Sequence, residues 1–105
     1  MKVNKMNSAA EEVCDVMGLL SNKSRLMLLC QLIGKEKSFG ELVANLGARE
    51  PAISQQLAVL RRQGRVQNRR EGKAVFYKIA DPKVSTILET LYDLYCECDI
   101  ETKEA

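Results

Sequence analysis

The chain has no histidine among its 105 residues, and its four cysteines form no Cys-x-x-Cys motif. A catalytic thiol needs a neighbouring base or a pKa lowered by its surroundings, and neither of these common arrangements is visible. We therefore expect no thiol enzyme, no catalytic residues and no cofactor. Turnover of thiol substrates would contradict this expectation.

Long apolar runs are also absent, and stretches such as 26–30 extend over only a few residues. A membrane-spanning helix needs about 20 apolar residues, and the first residues lack the apolar segment of a secretion signal. The sequence therefore predicts no membrane partner and a cytoplasmic location. In a reducing cytoplasm, exposed cysteines favour thiol chemistry or metal ligation over structural disulfides.

Internal repeats, low-complexity segments and linkers rich in Gly, Pro or Ser are missing as well. A chain of 105 residues is long enough for one hydrophobic core and too short for two. Its 46% hydrophobic and 29% charged residues are ordinary for a globular protein. We predict a single domain over residues 1–105.

Positive charge is concentrated in one segment, although the net charge is only +2. Residues 61–73 contain six basic side chains and a single acidic one, Glu71. Residues 97–104 have the opposite bias, with four acidic side chains and one lysine. This polarity predicts one surface that attracts phosphate groups and another that repels them.

Two short helices joined by a tight turn are predicted in the middle of the chain. Ser38 and Glu41 form a capping-box pattern that begins a helix, and Gly47 ends it. Pro51 suits the first turn of a following helix that ends before Gly64. This pattern is typical of a helix-turn-helix, over about 38–63.

The flanking elements complete a winged helix-turn-helix, a mainly α fold with a small β-hairpin, in the order α1-α2-α3-α4-β1-β2-α5. Helices are predicted over about 8–20 and from residue 23 to Gly34, a hairpin wing over about 65–79, and a last helix over about 82–96. The apolar faces of the first and last helices exceed what one small core can cover. They predict a homodimer through these two helices, with intramolecular packing as the alternative.

The outer face of the fourth helix and the wing tip predict binding to double-stranded operator DNA. Ser, Gln and Arg on a helix can contact base edges in the major groove, and a basic hairpin can contact backbone phosphates. The alternatives are a merely solvated polar face, or a winged-helix adaptor that binds another protein. The predicted DNA contacts are Pro51, Ser54, Gln55, Gln56, Arg61, Arg62, Arg69, Arg70 and Lys73.

Several motifs together resemble the ArsR/SmtB family of dimeric repressors, over roughly residues 8–96. They are Arg25-Leu-Met-Leu-Leu-Cys-Gln-Leu, Glu41-Leu, Pro51-Ala-Ile-Ser-Gln-Gln-Leu-Ala-Val-Leu-Arg, Gly64-Arg-Val and Phe76-Tyr-Lys-Ile. Most members of that family sense metals. This chain has no histidine for the usual zinc and nickel sites, and residues 41–46 lack the paired cysteines of arsenic-sensing members.

Cys30 and Cys96 are similar to the cysteine pair of the persulfide-responsive branch of that family, the BigR/SqrR/HlyU type. The resemblance implies a repressor that binds DNA when reduced. It implies release when persulfides or polysulfides bridge the two redox-sensing cysteines, and expression of sulfide-detoxification genes. A bridge with extra sulfur atoms spans a gap that a direct disulfide cannot. The alternative for Cys30 is a small apolar core residue, because it lies on the predicted apolar stripe of the second helix.

Cys14 and Cys98 are not required by that pattern. Together with Cys96, they give an alternative site for a soft metal or arsenite, with Cys14 supplied by the partner's first helix. No metal site is predicted otherwise. On an intact helix, Cys96 and Cys98 would point to nearly opposite sides, so this alternative needs a frayed helix end.

Overall fold

The computed structural model describes residues 1–96, and it confirms the winged helix-turn-helix fold. None of the helices in this part of the chain is both long enough and apolar enough to span a membrane. The three strands form one antiparallel sheet in the order β1-β3-β2. The elements are α1 (Val3–Leu20), α2 (Lys23–Cys30), β1 (Lys37–Ser38), α3 (Phe39–Leu46), α4 (Glu50–Arg62), β2 (Val66–Glu71), β3 (Ala74–Ile79) and α5 (Pro82–Tyr95).

Polar side chains fix where three of the helices begin. The Asn22 side chain accepts a hydrogen bond from the Arg25 backbone N–H at 3.0 Å, and Asp81 accepts one from Lys83 at the start of α5. Both arms of the capping box between Ser38 and Glu41 are present at the start of α3. Each cap satisfies backbone donors that a helix start leaves unpaired.

Gly47 ends α3 in the left-handed conformation, with φ at 62°. This conformation costs little for glycine and lets the chain turn sharply toward α4 within three residues. Helices α3 and α4 with this turn form the helix-turn-helix, which was predicted over about 38–63.

Buried aliphatic side chains from α2, α3, α4, the wing and α5 meet in one core. Burying each large aliphatic side chain contributes about 1.5–3 kcal/mol to folding. The fully buried members are Leu28, Leu29, Leu32, Leu42, Leu57, Leu60, Val66 and Val84. This core holds α4 by its inner side and leaves its opposite side free.

Three local predictions are wrong. A two-residue strand, β1, pairs with Phe76 and Tyr77 in β3, so the wing sheet has three strands rather than two. Helix α1 begins at Val3 rather than near residue 8. Helix α2 ends at Cys30, and the chain then forms turns up to residue 35 instead of continuing as a helix to Gly34.

The stripe of side chains that α2 buries decides the position of its cysteine. The side chains that α2 and the following turn bury are those of Leu28, Leu29 and Leu32. Cys30 is exposed, so the alternative that it fills the core is not supported. The thiol is therefore placed where a small molecule can reach it.

Candidate nucleic-acid interface and cysteine pair

The outer face of α4 is polar, basic and exposed, as predicted. Ile53, Leu57 and Leu60 anchor the inner face in the core. The exposed side chains on the other side are Pro51, Ser54, Gln55, Ala58, Arg61 and Arg62. A helix held in this way presents hydrogen-bonding groups near its N-terminus and cationic groups near its C-terminus, an arrangement suited to the major groove.

Gln56 does not share this outer face. Its side chain is half-buried, and its carbonyl oxygen Oε1 is buried with no hydrogen-bond partner in the part of the chain that the structure describes. Eight of the nine predicted DNA contacts thus occupy exposed positions on α4 or the wing, and the ninth, Gln56, lies between the surface and the core.

The wing sheet has two faces that differ in their surroundings. In the antiparallel register, Arg70 is opposite Val75, whereas Arg69 is opposite Phe76. Because side chains alternate along a strand, these two arginines point to opposite faces. We call the face that carries Arg70, Val75 and Tyr77 the core-side face, since Tyr77 also packs against the core. The other is the solvent-side face.

Arg69 is occupied by contacts on the solvent-side face. Its Nε donates to Glu36 Oε1 at 3.0 Å, its Nη1 donates to Glu71 Oε1 at 3.3 Å, and its Nη2 also pairs with Glu36. The guanidinium carbon lies 4.7 Å from the centre of the Phe76 ring, close enough for a cation–π contact. The hydrogen bond from Arg69 lowers the pKa of the Glu36 carboxyl group. The positive charge of Arg69 is therefore largely neutralised within the protein.

The structure brings Cys30 and Cys96 into the same neighbourhood. Cys30 is the last residue of α2, and Cys96 follows α5, with its backbone N–H bonded to the Tyr92 carbonyl at 2.8 Å. Partial desolvation raises the pKa of the Cys30 thiol, and the negative charge of a Cys96 thiolate raises it further. The two cysteines therefore lie in one region of the molecule, and both are free thiols.

Cys14 is a third free thiol, exposed on α1. It lines a groove with Arg25 and Gln63. Cys98, the other member of the alternative metal site, lies outside the described residues. Within residues 1–96, no three His, Cys, Asp or Glu side chains are grouped so that they could hold a metal ion.

Apolar side chains remain uncovered on α1 and α5. Met17 is 46% exposed on α1, and Leu94 and Tyr95 are 66% and 79% exposed near the end of α5. Val3, Met6 and Val13 extend the α1 surface at helical spacing. Intramolecular packing alone therefore leaves these two helix faces in water.

A helix-turn-helix with an exposed basic second helix, followed by a hairpin, defines a winged-helix DNA-binding protein. The family model described as bacterial regulatory protein, arsR family, matches residues 22–68. The chain is 45% identical over 91 residues to a biofilm growth-associated repressor of Agrobacterium fabrum, covering 87% of this chain and 78% of that protein. It is 35% identical over 99 residues to the transcriptional activator HlyU of Vibrio cholerae, covering 94% and 92%.

Comparison with a solved structure also finds a transcriptional regulator. The transcriptional repressor BigR from Xylella fastidiosa superposes with a TM-score of 0.87 at 40% identity, covering 91% of this chain and 98% of that one. The chain belongs to the ArsR family, and it is a DNA-binding transcriptional repressor rather than an enzyme.

Proposed function

We propose that the protein is a cytoplasmic homodimeric repressor that binds its operator when Cys30 and Cys96 are reduced and leaves it when reactive sulfur bridges them. The genes released would be those of sulfide detoxification. The observation that carries this proposal is the placement of two free thiols at the ends of α2 and α5, where the charge of a Cys96 thiolate raises the pKa of Cys30.

The chemistry needs only a persulfide as the second reactant. Each thiolate attacks the sulfane sulfur of an organic persulfide RSSH, gains that sulfur and releases the thiol RSH. The terminal sulfur of one cysteine persulfide then attacks the inner sulfur of the other and expels hydrosulfide. The product is a trisulfide between Cys30 and Cys96, and no further oxidant is required.

Two contacts support transmission from this pair to the DNA-binding elements. Glu36 follows the turns after α2 and binds Arg69 in the wing. At the start of α5, Asp81 pairs with Arg65 at 2.6 Å, and their side chains are only 18% and 16% exposed. The segment after α2 and the start of α5 are thus each joined to the wing by an ion pair. A bridge that moves α2 or α5 can therefore move the wing.

A homodimer through α1 and α5 would cover the apolar faces that the single chain leaves exposed. Tyr92, Leu94 and Tyr95 on α5, with Met17 on α1, supply the uncovered surface. A two-fold dimer of this fold places its recognition helices about 34 Å apart, one turn of DNA, which suits a palindromic operator.

We assign base contacts to the N-terminal part of α4, with Pro51, Ser54 and Gln55, and backbone contacts to Arg61 and Arg62. Arg70 and Lys73 would contact phosphates from the wing. Arg69 is a weaker contributor because Glu36 already binds it, and Gln56 contributes through the placement of α4.

The thiol switch is tested with Cys30→Ser and Cys96→Ser. Both variants should bind duplex DNA as the reduced wild type does, because neither side chain lies on the outer face of α4 or on the wing. Treatment with glutathione persulfide should weaken wild-type binding at least about tenfold, a change of roughly 1.4 kcal/mol, and leave both variants unchanged. Binding is measured by fluorescence anisotropy on a duplex selected from random DNA by the reduced protein.

Cys14→Ser is the matched control, since it removes an exposed free thiol outside the pair. It should respond like the wild type, and peptide mapping should find a Cys30–Cys96 crosslink carrying extra sulfur in both proteins. Release of DNA by either Cys30→Ser or Cys96→Ser would contradict the switch. Loss of the response in Cys14→Ser would move the sensor to another thiol.

A further inference from the structure

A cleft runs between α4 and the wing, formed by two adjoining grooves. Ser54 from α4 and Tyr77 from β3 line both grooves, so they mark the middle of the cleft. Lys73 in the wing turn lines one end, and Arg61 and Arg62 line the other. We call this the helix–wing cleft, and it places hydroxyl groups between two cationic ends.

The position of the cleft follows the geometry of duplex DNA. A winged-helix protein places its recognition helix in the major groove and its wing at the adjacent minor groove. The sugar–phosphate strand that separates these two grooves must then pass between the helix and the wing. In this molecule, that path coincides with the helix–wing cleft.

We propose that the helix–wing cleft binds one sugar–phosphate strand of the DNA, with the Tyr77 hydroxyl donating to a phosphate at its centre. This proposal rests on the DNA-binding function and adds a contact site to it. Lys73 and Arg61 neutralise the flanking phosphates. Phosphates are the same in every DNA sequence. The cleft therefore contributes affinity and fixes the orientation of the protein on the duplex, but it gives no sequence preference.

Tyr77 is held firmly enough to act in this way. It lies on the central strand of the sheet, paired with Lys37 on one side and Asn68 on the other. Its ring packs against the core and is half-buried. The hydroxyl group is therefore fixed in position before DNA arrives, which limits the entropy lost on binding.

Gly40, in the first turn of α3, borders the cleft. It lines the same groove as Lys73 and Tyr77, and a Cβ atom added to it would meet only Ser38 Oγ, at 4.0 Å. An alanine at this position fits the free protein without a clash. Its methyl group would stand where the phosphate strand is proposed to pass.

Two variants test the proposal. Tyr77→Phe removes only the hydroxyl and should weaken binding about fivefold to specific and non-specific duplexes alike, with an unchanged melting temperature of the free protein. Gly40→Ala should weaken binding about tenfold while the melting temperature stays equal or rises. Gly18→Ala, at a helical glycine with nothing within 4 Å, is the matched control and should bind like the wild type.

The outcomes separate this proposal from the function on which it rests. If the wild type shows no salt-dependent binding to any duplex, the DNA-binding function itself fails. If the wild type binds but Tyr77→Phe and Gly40→Ala bind equally well, the cleft does not contact the backbone. If Tyr77→Phe weakens only specific binding, Tyr77 contacts a base and the backbone site is overturned.

Discussion

Arg69 and Arg70 are neighbours in the chain and carry the same charge, but the molecule places them in opposite surroundings. Arg70 lies on the core-side face of the wing, the face that also carries Tyr77 and borders the helix–wing cleft. Arg69 lies on the solvent-side face, bound to Glu36 and Glu71 and stacked over Phe76. One arginine is available to a phosphate, and the other already has its counter-ion.

This difference shows that a count of basic residues overstates the positive charge that is available to DNA phosphates. Residues 61–73 contain six cationic side chains, but the described contacts pair Arg69 with Glu36 and Arg65 with Asp81. Those two arginines connect the wing to the turn after α2 and to the start of α5. They hold the wing in place, whereas Arg61, Arg62, Arg70 and Lys73 form no ion pair within residues 1–96 and are the DNA contacts that we propose.

The largest expected effect comes from comparing Arg70→Gln with Arg69→Gln. Arg70→Gln should weaken binding to any duplex about tenfold and reduce the slope of log affinity against log salt by about 1. Arg69→Gln should weaken binding by at most about twofold and leave the slope nearly unchanged, because its charge is already paired. Both are measured by anisotropy over a series of salt concentrations.

Equal losses in the two variants would remove the distinction between the two faces of the wing. A larger loss in Arg69→Gln than in Arg70→Gln would reverse it, and would restore Arg69 as the principal phosphate contact of the hairpin. Melting temperatures of both free proteins serve as the control for damage to the sheet.

A smaller effect is expected from Glu36→Gln, which frees Arg69 without removing it. The neutral side chain no longer neutralises the guanidinium, so binding should tighten about threefold and the salt slope should steepen slightly. In the double variant with Arg69→Gln, this gain should disappear. Weaker binding by Glu36→Gln alone would show that the pair matters for holding the wing rather than for its charge.

Most of the fold was predictable from local patterns. The Ser38–Glu41 capping box and Gly47 mark helix ends through short-range chemistry, and both act as predicted. Asn22 and Asp81 cap their helices by the same short-range chemistry. Strand β1 was not predictable in the same way. Its two residues are too few to show a period, and they are extended because β3 offers them a partner distant in the sequence.

The candidate site was predictable in composition but not in orientation. Helical spacing identified the outer face of α4, and strand alternation could have separated Arg69 from Arg70 once the register was known. The contact with Glu36 could not be predicted, because it joins residues 33 positions apart. Cys30 was expected either in the core or paired with Cys96, and only the packing of Leu28, Leu29 and Leu32 in the structure shows that it is exposed.

The smallest expected effect is on the titration of Glu36, and it tests the pair directly. The hydrogen bond from Arg69 lowers the pKa of the Glu36 carboxyl group, so its midpoint in a carbon-detected NMR titration should lie below the ordinary range. A lowered pKa means that the pair contributes to stability above the unfolded-state pKa and loses that contribution as the pH falls through the folded-state pKa. Glu36 is therefore ionised at neutral pH, where the repressor meets DNA, and its carboxylate can pair with Arg69. In Arg69→Gln the midpoint should rise toward the ordinary value, while that of Glu41, whose pKa is lowered by the Ser38 backbone N–H, should stay low. An unchanged Glu36 midpoint in that variant would mean that Arg69 is free in solution and that the two faces of the wing are electrostatically alike.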